Sequence, residues 1–323
     1  MATGEDFSKF GAGLTGRQLD QLCVNTIRTL AIDAVQKAES GHPGLPMGCA
    51  DFGYVLWTRF LRHNPANPHW PDRDRFVLSA GHGSMLIYAL LHLSGYESVS
   101  LKDIENFRQW GSRTPGHPEH FITAGVETTT GPLGQGAGNS VGLAIAESWQ
   151  RAVFDEGLPD SGDGGIVNHF TYALVSDGDL MEGVTAEAVS LAGHLGLGKL
   201  IYFYDDNQVS IEGKTDLAYS DDVAKRFEGY HWHVQKIDGH DHEQIAAALK
   251  AAQAETSRPS IIIGKTIIGW GSPKMQGTPK AHSDAFGEDE VRATKRNLGW
   301  PEEAHFLVPQ AVRTRFDEIK KRG

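Results

Sequence analysis

The second half of this 323-residue chain alternates short apolar runs with segments of helical periodicity, and that alternation restricts its fold more than any other feature. Strands joined through helices build βαβ units, which give a parallel sheet with helices on its faces. We therefore predict an α/β fold whose ligands bind outside the carboxyl ends of the strands. The predicted strands are 172–175, 200–204, 233–237 and 260–264, and the predicted helices between them lie near 181–195, 222–228 and 241–255.

The first half is predicted to be mainly helical. Apolar residues recur at helical spacing over 14–40, where Thr15 and Gln18 have the spacing of a capping box. Further helices are predicted from 46 to about 62, over 84–94, and after the glycine-rich stretch 131–136 as far as about 154.

The glycines lie in short clusters between these segments rather than in a linker, which favours a single compact domain. We predict that this domain covers 14–300, after an N-terminal tail over 1–13 and before a C-terminal extension over 301–323.

Charge and composition exclude several classes of protein. Lys and Arg number 30 against 41 Asp and Glu, for a net charge of −11, and no basic run offers a surface for nucleic acid or an anionic membrane. The longest apolar run, 85–91, is far shorter than the roughly 20 residues that span a bilayer. The start of the chain lacks the apolar core of a secretory signal, and Cys23 and Cys49 form no paired motif. We therefore predict a cytoplasmic protein.

Polar residues follow two of the predicted strands directly. Asp177 comes after the strand that ends at 175, and Asn207 comes after the strand that ends at 204. If these strands are neighbours, both side chains meet at one edge of the sheet, with the carbonyl of Val209 as a third oxygen. Such oxygen ligands suit Mg²⁺ or Ca²⁺, and a helix that starts near Leu180 would add a favourable end for an anion. The alternative is that these residues only cap helices and turns.

Several histidines follow glycine in tight loops. His42, His82 and His117 lie in Gly-His-Pro or Gly-His-Gly sequences, where the backbone can approach a ligand closely. Neutral imidazoles in a strand-end cleft are suited to proton transfer and to binding hydroxyl groups. A structural role is the alternative for each, and we predict that role for His194, in a helix, and for His240, in a turn.

Taken together, these motifs resemble the transketolase family. The stretch from Asp177 to Asn207 is similar to the thiamine diphosphate motif, in which Gly-Asp-Gly is followed about thirty residues later by Asn. The resemblance extends in order from Leu14 to Trp300. The other segments that carry it are Ser40-Gly41-His42-Pro43-Gly44, the Leu-Ser-Ala-Gly-His-Gly-Ser-Met sequence at 78–85, the Thr-Pro-Gly-His-Pro-Glu sequence at 114–119, the Thr-Thr-Gly-Pro-Leu-Gly-Gln-Gly sequence at 129–136 and the Leu-Ala-Gly-His-Leu-Gly-Leu-Gly-Lys-Leu sequence at 191–200.

This resemblance implies a thiamine diphosphate-binding fold of the diphosphate (PP-type) domain, with thiamine diphosphate and Mg²⁺ as cofactors and Ca²⁺ as a substitute metal. It implies roles for particular residues as metal ligands, cofactor contacts and catalytic groups. The metal ligands would be Asp177, Asn207 and the carbonyl of Val209; the cofactor contacts His82, Gly131, Pro132, Leu133, Gly178, Glu182 and Asn207; and the catalytic groups His42 and His282, supported by His117.

Two positions depart from the family pattern. Ser176 stands where the motif has its first glycine, so a hydroxyl and a Cβ atom come close to the expected diphosphate. His282 is followed by Ser283 rather than by the usual glycine, which makes its role the least secure of the histidine assignments.

The resemblance further implies the transfer of a two-carbon ketol unit from a ketose phosphate to an aldose phosphate, a reaction of the pentose phosphate pathway. In this family a glutamate of a second domain, from the opposite subunit, activates the pyrimidine ring. We therefore expect this chain to be the diphosphate-binding half, inactive alone, with a pyrimidine-binding C-terminal transketolase subunit as partner in an α₂β₂ assembly. The alternatives are the α subunit of a 2-oxoacid dehydrogenase-like enzyme and a non-catalytic cofactor-binding domain.

Overall fold

A computed structural model describes residues 7–156 and 165–320 of the chain. Its centre is a five-stranded parallel sheet with the strand order β1-β2-β3-β5-β4. The predicted α/β fold with helices on both faces is confirmed. The strands are β1 Arg75–Leu78, β2 Thr171–Ser176, β3 Leu200–Asp206, β4 His233–Asp238 and β5 Ser260–Lys265.

Helices cover both faces of this sheet. The α-helices of the described residues are α1 Gly16–Ala38, α2 Gly44–Gly48, α3 Ala50–Val55, α4 Met85–Ser94, α5 Leu101–Glu105, α6 Gln135–Phe154, α7 Asp177–Met181, α8 Gly183–Leu195, α9 Val223–Gly229, α10 His242–Ala254, α11 Glu288–Asn297 and α12 Gln310–Lys320.

The alternation of side chains along the central strand divides the core into two layers. Successive residues of a strand point to opposite faces. In β3, Ile201 and Phe203 pack into the layer that contains α1, α3, α4 and α12. Tyr202 and Tyr204 pack into the other layer, under α6, α8 and α9. A strand buried on both faces is continuously apolar, as residues 200–204 are.

Three local predictions were wrong. Strand β1 was not predicted, because its four residues follow a run of charged residues and give too short an apolar signal. The helix predicted from 46 to 62 is instead α2, α3 and a π-helical turn at Leu56–Phe60. Thr15 is the N-cap of α1, but its side chain makes no capping hydrogen bond.

Residues after 300 pack on the same core as the rest of the domain. Val312 and Phe316 of α12 are buried in the layer that contains α1 and α4. Asp33 of α1 accepts a hydrogen bond from the backbone N–H of Phe306 at 2.8 Å and pairs with Lys295 at 2.5 Å. The assignment of 301–323 to the start of a linker stays a prediction.

Within the part of the chain that the structure describes, no helix is both long enough and apolar enough to cross a bilayer.

Candidate active site

The carboxyl ends of β2 and β3 place Asp177 next to the end of the neighbouring strand. The two strands pair in parallel, with Ser176 opposite Asp205. Asp177 is buried, and its Oδ1 atom accepts a hydrogen bond from the hydroxyl of Tyr204. Its Oδ2 atom is buried without any hydrogen-bond partner. Burial, with a smaller contribution from the negative charges of Asp205 and Asp206, raises the pKa of Asp177 to about 7 against the opposing effect of the Tyr204 hydrogen bond.

Asn207 is held in a fixed orientation at the same edge. Its Nδ2 atom donates to Oδ2 of Asp205 at 2.8 Å, and its Oδ1 atom accepts from the backbone N–H of Val209 at 2.9 Å. Val209 is itself buried. These bonds make an Asx turn that sets the course of the chain directly after β3.

The residues at this edge fit a hard divalent cation. A carboxylate, an amide oxygen and a backbone carbonyl are the donors that Mg²⁺ and Ca²⁺ prefer. The unpartnered Oδ2 atom of buried Asp177 is the kind of group that a bound cation satisfies. Among the described residues no cluster of three His, Cys, Asp or Glu side chains could hold a metal.

Three histidines from distant parts of the chain form one compact cluster. The ring centroids of His42 and His82 lie 5.1 Å apart, those of His42 and His282 5.3 Å, and those of His82 and His282 5.1 Å. Burial, with a smaller contribution from the neighbouring imidazoles, lowers the pKa of His42 to about 4 and that of His82 to about 3. Burial also lowers the pKa of His282. All three are therefore neutral near pH 7.

Glycines allow the loops that carry His42 and His282 to approach each other. A Cβ atom on Gly44 would lie 2.2 Å from the carbonyl oxygen of Ala281, closer than real Cβ contacts. The backbone N–H of Asp284 donates to the carbonyl of Gly41 at 2.8 Å. Because the backbones on either side of the two histidines touch, the rings are brought together by main-chain packing rather than by side-chain reach.

The loop from Gly131 to Leu133 lies against His117 and the start of α7. Gly131 has a φ of +146°, and a Cβ atom there would lie 3.1 Å from Cδ2 of His117. A Cβ atom on Gly178 would lie 2.9 Å from Cδ1 of Leu133. His117 and Pro132 are exposed. The loop therefore connects the histidine side of the edge with the Asp177 side.

The same contacts continue to Glu182. A Cβ atom on Gly134, whose φ is +80°, would lie 2.8 Å from the Cβ atom of Glu182. Glu182 is exposed at the start of α8. The structure thus gathers the candidate residues at one edge of the sheet, while their roles stay predictions.

The turn after β2 differs from the sequence interpretation in two respects. Helix α7 begins at Asp177 and not near Leu180, because Asp179 accepts a hydrogen bond from the backbone N–H of Ser176 and caps the turn. The hydroxyl of Ser176 also donates to Asp179, at 3.1 Å. The serine that replaces glycine is therefore held by a side chain of its own turn.

Sequence reasoning missed Arg108, which lies beside the histidines. Its Nη1 atom donates to the hydroxyl of Ser40 at 2.7 Å, and its residue has a φ of +62°. Its positive charge helps to lower the pKa of His42 and of His117, after the larger effect of burial. No motif marks an arginine in an exposed loop, so only the fold reveals this contribution.

His240 lies in a separate buried network. Its Nδ1 atom bonds to Asp51 at 2.9 Å, and its Nε2 atom accepts from the backbone N–H of Ile267 at 3.0 Å. An imidazole that accepts at Nε2 and faces a carboxylate at Nδ1 is the neutral Nδ1–H tautomer. This arrangement agrees with the structural role predicted for His240.

An open cleft of about 1090 Å³ lies at the carboxyl ends of β3, β4 and β5. Asp177 and Tyr204 form part of its wall, and Lys214, Lys236 and Lys265 line it as well. The Asp177 edge therefore opens into a solvent-accessible space large enough for a small molecule.

The family description "Transketolase, thiamine diphosphate binding domain" matches residues 19–323. The chain belongs to the transketolase family. The match covers nearly the whole chain and identifies it with the domain that binds thiamine diphosphate. It favours transketolase over the 2-oxoacid dehydrogenase alternative.

Similar curated proteins are complete transketolases. The transketolase of Nostoc sp. is 57% identical over 309 residues, which are 95% of this chain and 45% of that protein. The chloroplastic transketolase of Zea mays is 55% identical over 315 residues, which are 97% of this chain and 46% of that protein. The chain thus spans less than half the length of these relatives.

Solved transketolases share the fold closely. The enzyme of Leishmania mexicana aligns with a TM-score of 0.89 at 46% identity, over 94% of this chain and 45% of that chain. The Pichia stipitis transketolase in complex with sedoheptulose 7-phosphate aligns with a TM-score of 0.90 at 43% identity, over 94% and 44%.

Proposed function

We propose that this transketolase domain is the diphosphate-binding half of an enzyme that transfers a two-carbon ketol unit from a ketose phosphate to an aldose phosphate. The observation that carries the proposal is the convergence of three neutral histidines with the oxygen-rich edge at Asp177. The solved relative from Pichia stipitis that holds sedoheptulose 7-phosphate supports sugar phosphates as the substrate class.

Thiamine diphosphate, when bound, supplies the nucleophilic carbon that breaks the bond beside a carbonyl group. In the proposal Asp177, Asn207 and the Val209 carbonyl would hold Mg²⁺, which would supply positive charge for the diphosphate. The unpartnered Oδ2 atom of Asp177 supports this assignment.

The remaining contacts follow the shape of the edge. Gly131, Pro132 and Leu133 form the loop that would lie along the cofactor, and Gly178 gives it room because any side chain there would meet Leu133. His82 would contact the cofactor from the opposite side, next to His42. Glu182 would lie where the cofactor approaches a second subunit.

Proton transfer falls to the histidines in this proposal. His42 and His282 are neutral and partly accessible, so each can accept a proton from a substrate hydroxyl and return it. The Nδ1 atom of His42 is buried without a hydrogen-bond partner, which leaves it free to bond to a ligand. His117 would support them from the neighbouring loop.

A complementary pyrimidine-binding half completes the proposed enzyme. The relatives contain more than twice the length matched here, so they carry a further region beyond the part that this chain matches, and we propose that this region corresponds to the pyrimidine-binding half. In this protein we propose that it is a separate subunit in an α₂β₂ assembly.

An exposed apolar face supports a protein partner. Helices α6 and α8 pack against each other, and Trp149, Leu191 and Leu195 on them are 62%, 46% and 48% exposed. Large apolar side chains exposed on two packed helices favour a protein partner at this surface. The free buried cysteines Cys23 and Cys49 are consistent with the proposed cytoplasmic location.

A coupled assay tests this function. The purified chain is supplied with xylulose 5-phosphate, ribose 5-phosphate, thiamine diphosphate and Mg²⁺, with and without a complementary pyrimidine-binding half. We expect no turnover by the chain alone and clear turnover by the mixture. Substantial turnover by the chain alone would contradict the half-enzyme assignment, and inactivity of a verified complex across several ketose donors would contradict the reaction.

A further inference from the structure

Asp179 joins three segments around the candidate cofactor site. Its side chain is completely buried. Its Oδ1 atom accepts hydrogen bonds from the backbone N–H of Gly134 at 2.8 Å and from the hydroxyl of Ser79 at 2.7 Å. Its Oδ2 atom accepts from the backbone N–H of Ser176 at 2.9 Å and from the hydroxyl of the same residue at 3.1 Å. One carboxylate thus receives four donors from three separate parts of the chain.

Each of these donors stands at the end of a segment that carries candidate cofactor contacts. Ser79 lies at the end of β1, just before the turn with His82. Gly134 closes the loop that begins at Gly131, and Ser176 directly precedes Asp177. Asp179 is therefore the common anchor of the histidine turn, the glycine loop and the metal edge.

The donor pattern requires an acceptor on both oxygens of residue 179. The hydroxyl of Ser79 accepts from the backbone N–H of Ala137 at 3.0 Å, which directs its hydrogen toward Asp179. The backbone N–H groups of Gly134 and Ser176 can only donate. An amide at position 179 would place an NH₂ group against one pair of these donors. Asparagine therefore has nearly the same shape as aspartate, but its NH₂ group cannot accept the hydrogen bonds that these donors offer.

The histidine turn and the glycine-rich segment touch so closely that a shift in one moves the other. A Cβ atom on Gly136 would lie 2.5 Å from the Cα atom of Ser79. A Cβ atom on Gly81 would lie 2.5 Å from the hydroxyl oxygen of Thr130, whose hydroxyl donates to the carbonyl of Leu78. Close-packed backbone transmits displacement rather than absorbing it.

We propose that Asp179 is a positioning residue whose carboxylate sets the relative placement of the histidine turn, the glycine loop and the metal edge, so that they bind the diphosphate together. This inference rests on the proposed function, because it takes these segments as the diphosphate site. Asp179 makes no contact with the cofactor in this account. Its loss should weaken cofactor binding more than it weakens the fold.

The test compares Asp179→Asn with Asp74→Asn in the full chain. Asp74 is also a buried carboxylate, and it accepts from the backbone N–H groups of Arg62 and Phe170 at 2.8 Å each. It lies just before β1, at the amino ends of the strands and away from the candidate site. Titration calorimetry measures the Kd for thiamine diphosphate with Mg²⁺, and thermal unfolding without cofactor measures the Tm of each variant.

We expect both variants to lower Tm and only Asp179→Asn to raise Kd, by about tenfold or more, as loss of an outer contact to a metal site does. Amide exchange of the cofactor-free chain should show faster exchange at Gly134 and Ser176 in Asp179→Asn. Ser79→Ala removes one of the four bonds and should give a smaller rise in Kd, which keeps the test available if Asp179→Asn does not fold.

Two results would overturn the inference while the proposed function stands. One is wild-type Kd in Asp179→Asn, and the other is an equal rise of Kd in both variants, which would reflect stability alone. Failure of the wild-type chain itself to bind thiamine diphosphate with Mg²⁺ would instead contradict the proposed function, and the inference would fall with it.

Discussion

His42 and His282 are far apart in the sequence, yet their ring centroids are 5.3 Å apart at an interplanar angle of 83°. Neither ring is held by its own helix or strand, since the loops around them are joined by backbone contacts. Both imidazoles are neutral near pH 7, because burial lowers their pKa values. This pair is the part of the site most suited to moving protons.

His42→Ala should therefore lower turnover of the complete enzyme much more than it lowers cofactor binding. Positioned acid-base groups contribute about 10² to 10⁴ in rate. Steady-state assays give kcat, and calorimetry gives the Kd for thiamine diphosphate. His69→Ala is the matched control, because His69 is exposed in the turns that precede β1 and should leave both values unchanged. Equal losses of kcat and cofactor affinity in His42→Ala would indicate a structural histidine.

Part of the acid sensitivity of the fold should come from His63. Burial lowers the pKa of His63 to about 4 in the folded chain, against an unfolded value of about 6.5. The unfolded state binds the proton more tightly, so this residue's contribution is complete above about pH 6.5 and is lost as the pH falls toward 4. The full difference is on the order of 3 kcal/mol.

Urea unfolding at pH 7 and pH 5 measures this effect in the wild-type chain and in His63→Gln. The variant should be less stable at pH 7 and should lose less stability between the two pH values. An unchanged pH dependence in His63→Gln would show that other groups determine the acid sensitivity.

The buried pair of Arg28 and Asp51 should contribute strongly to the stability of the fold. Nη2 of Arg28 donates to Oδ2 of Asp51 at 2.5 Å, and His240 and His242 each bond to the same carboxylate at 2.9 Å. The charge of Arg28 and the two histidine bonds lower the pKa of Asp51 against the opposing effect of burial. Removing one partner leaves a buried charge, which typically costs about 3–5 kcal/mol.

Asp51→Ala tests this cost by urea unfolding, with Glu105→Ala as the control. Glu105 pairs with Lys37 at 3.3 Å on the surface, and such exposed pairs contribute about 0–1 kcal/mol. Similar small losses of unfolding free energy in both variants would mean that water can take over the hydrogen bonds of Asp51 in the buried network.

The parts of the fold that could be predicted from sequence are those with a long or continuous pattern. Strand β3 is apolar on both faces, and α1 has a helical repeat over its whole length, so both were recognised. Strand β1 has four residues and no such pattern. Its place at the edge of the sheet depends on pairing with β2, whose residues are far from β1 in the sequence.

The site divides in the same way. Asp177 and Asn207 were found because each directly follows a strand, and the pairing of β2 with β3 places those strand ends side by side. Asp179 was missed because its partners at Ser79 and Gly134 come from other loops, which no local pattern connects. Arg108 was missed for the same reason, since its proximity to the histidines depends on the path of an irregular loop.

The most direct test of this account is a titration of the chain with thiamine diphosphate in the presence and absence of Mg²⁺, followed by thermal unfolding, for the wild type and Asp177→Ala. If the edge at Asp177 holds a metal that binds the diphosphate, the wild type should be stabilised only by both ligands together. That stabilisation should reach about 2.7 kcal/mol at a hundredfold excess over Kd. Asp177→Ala should lose the joint stabilisation while it stays folded. Retention of the full cofactor-plus-metal shift in Asp177→Ala would contradict the assignment of this edge as the cofactor site.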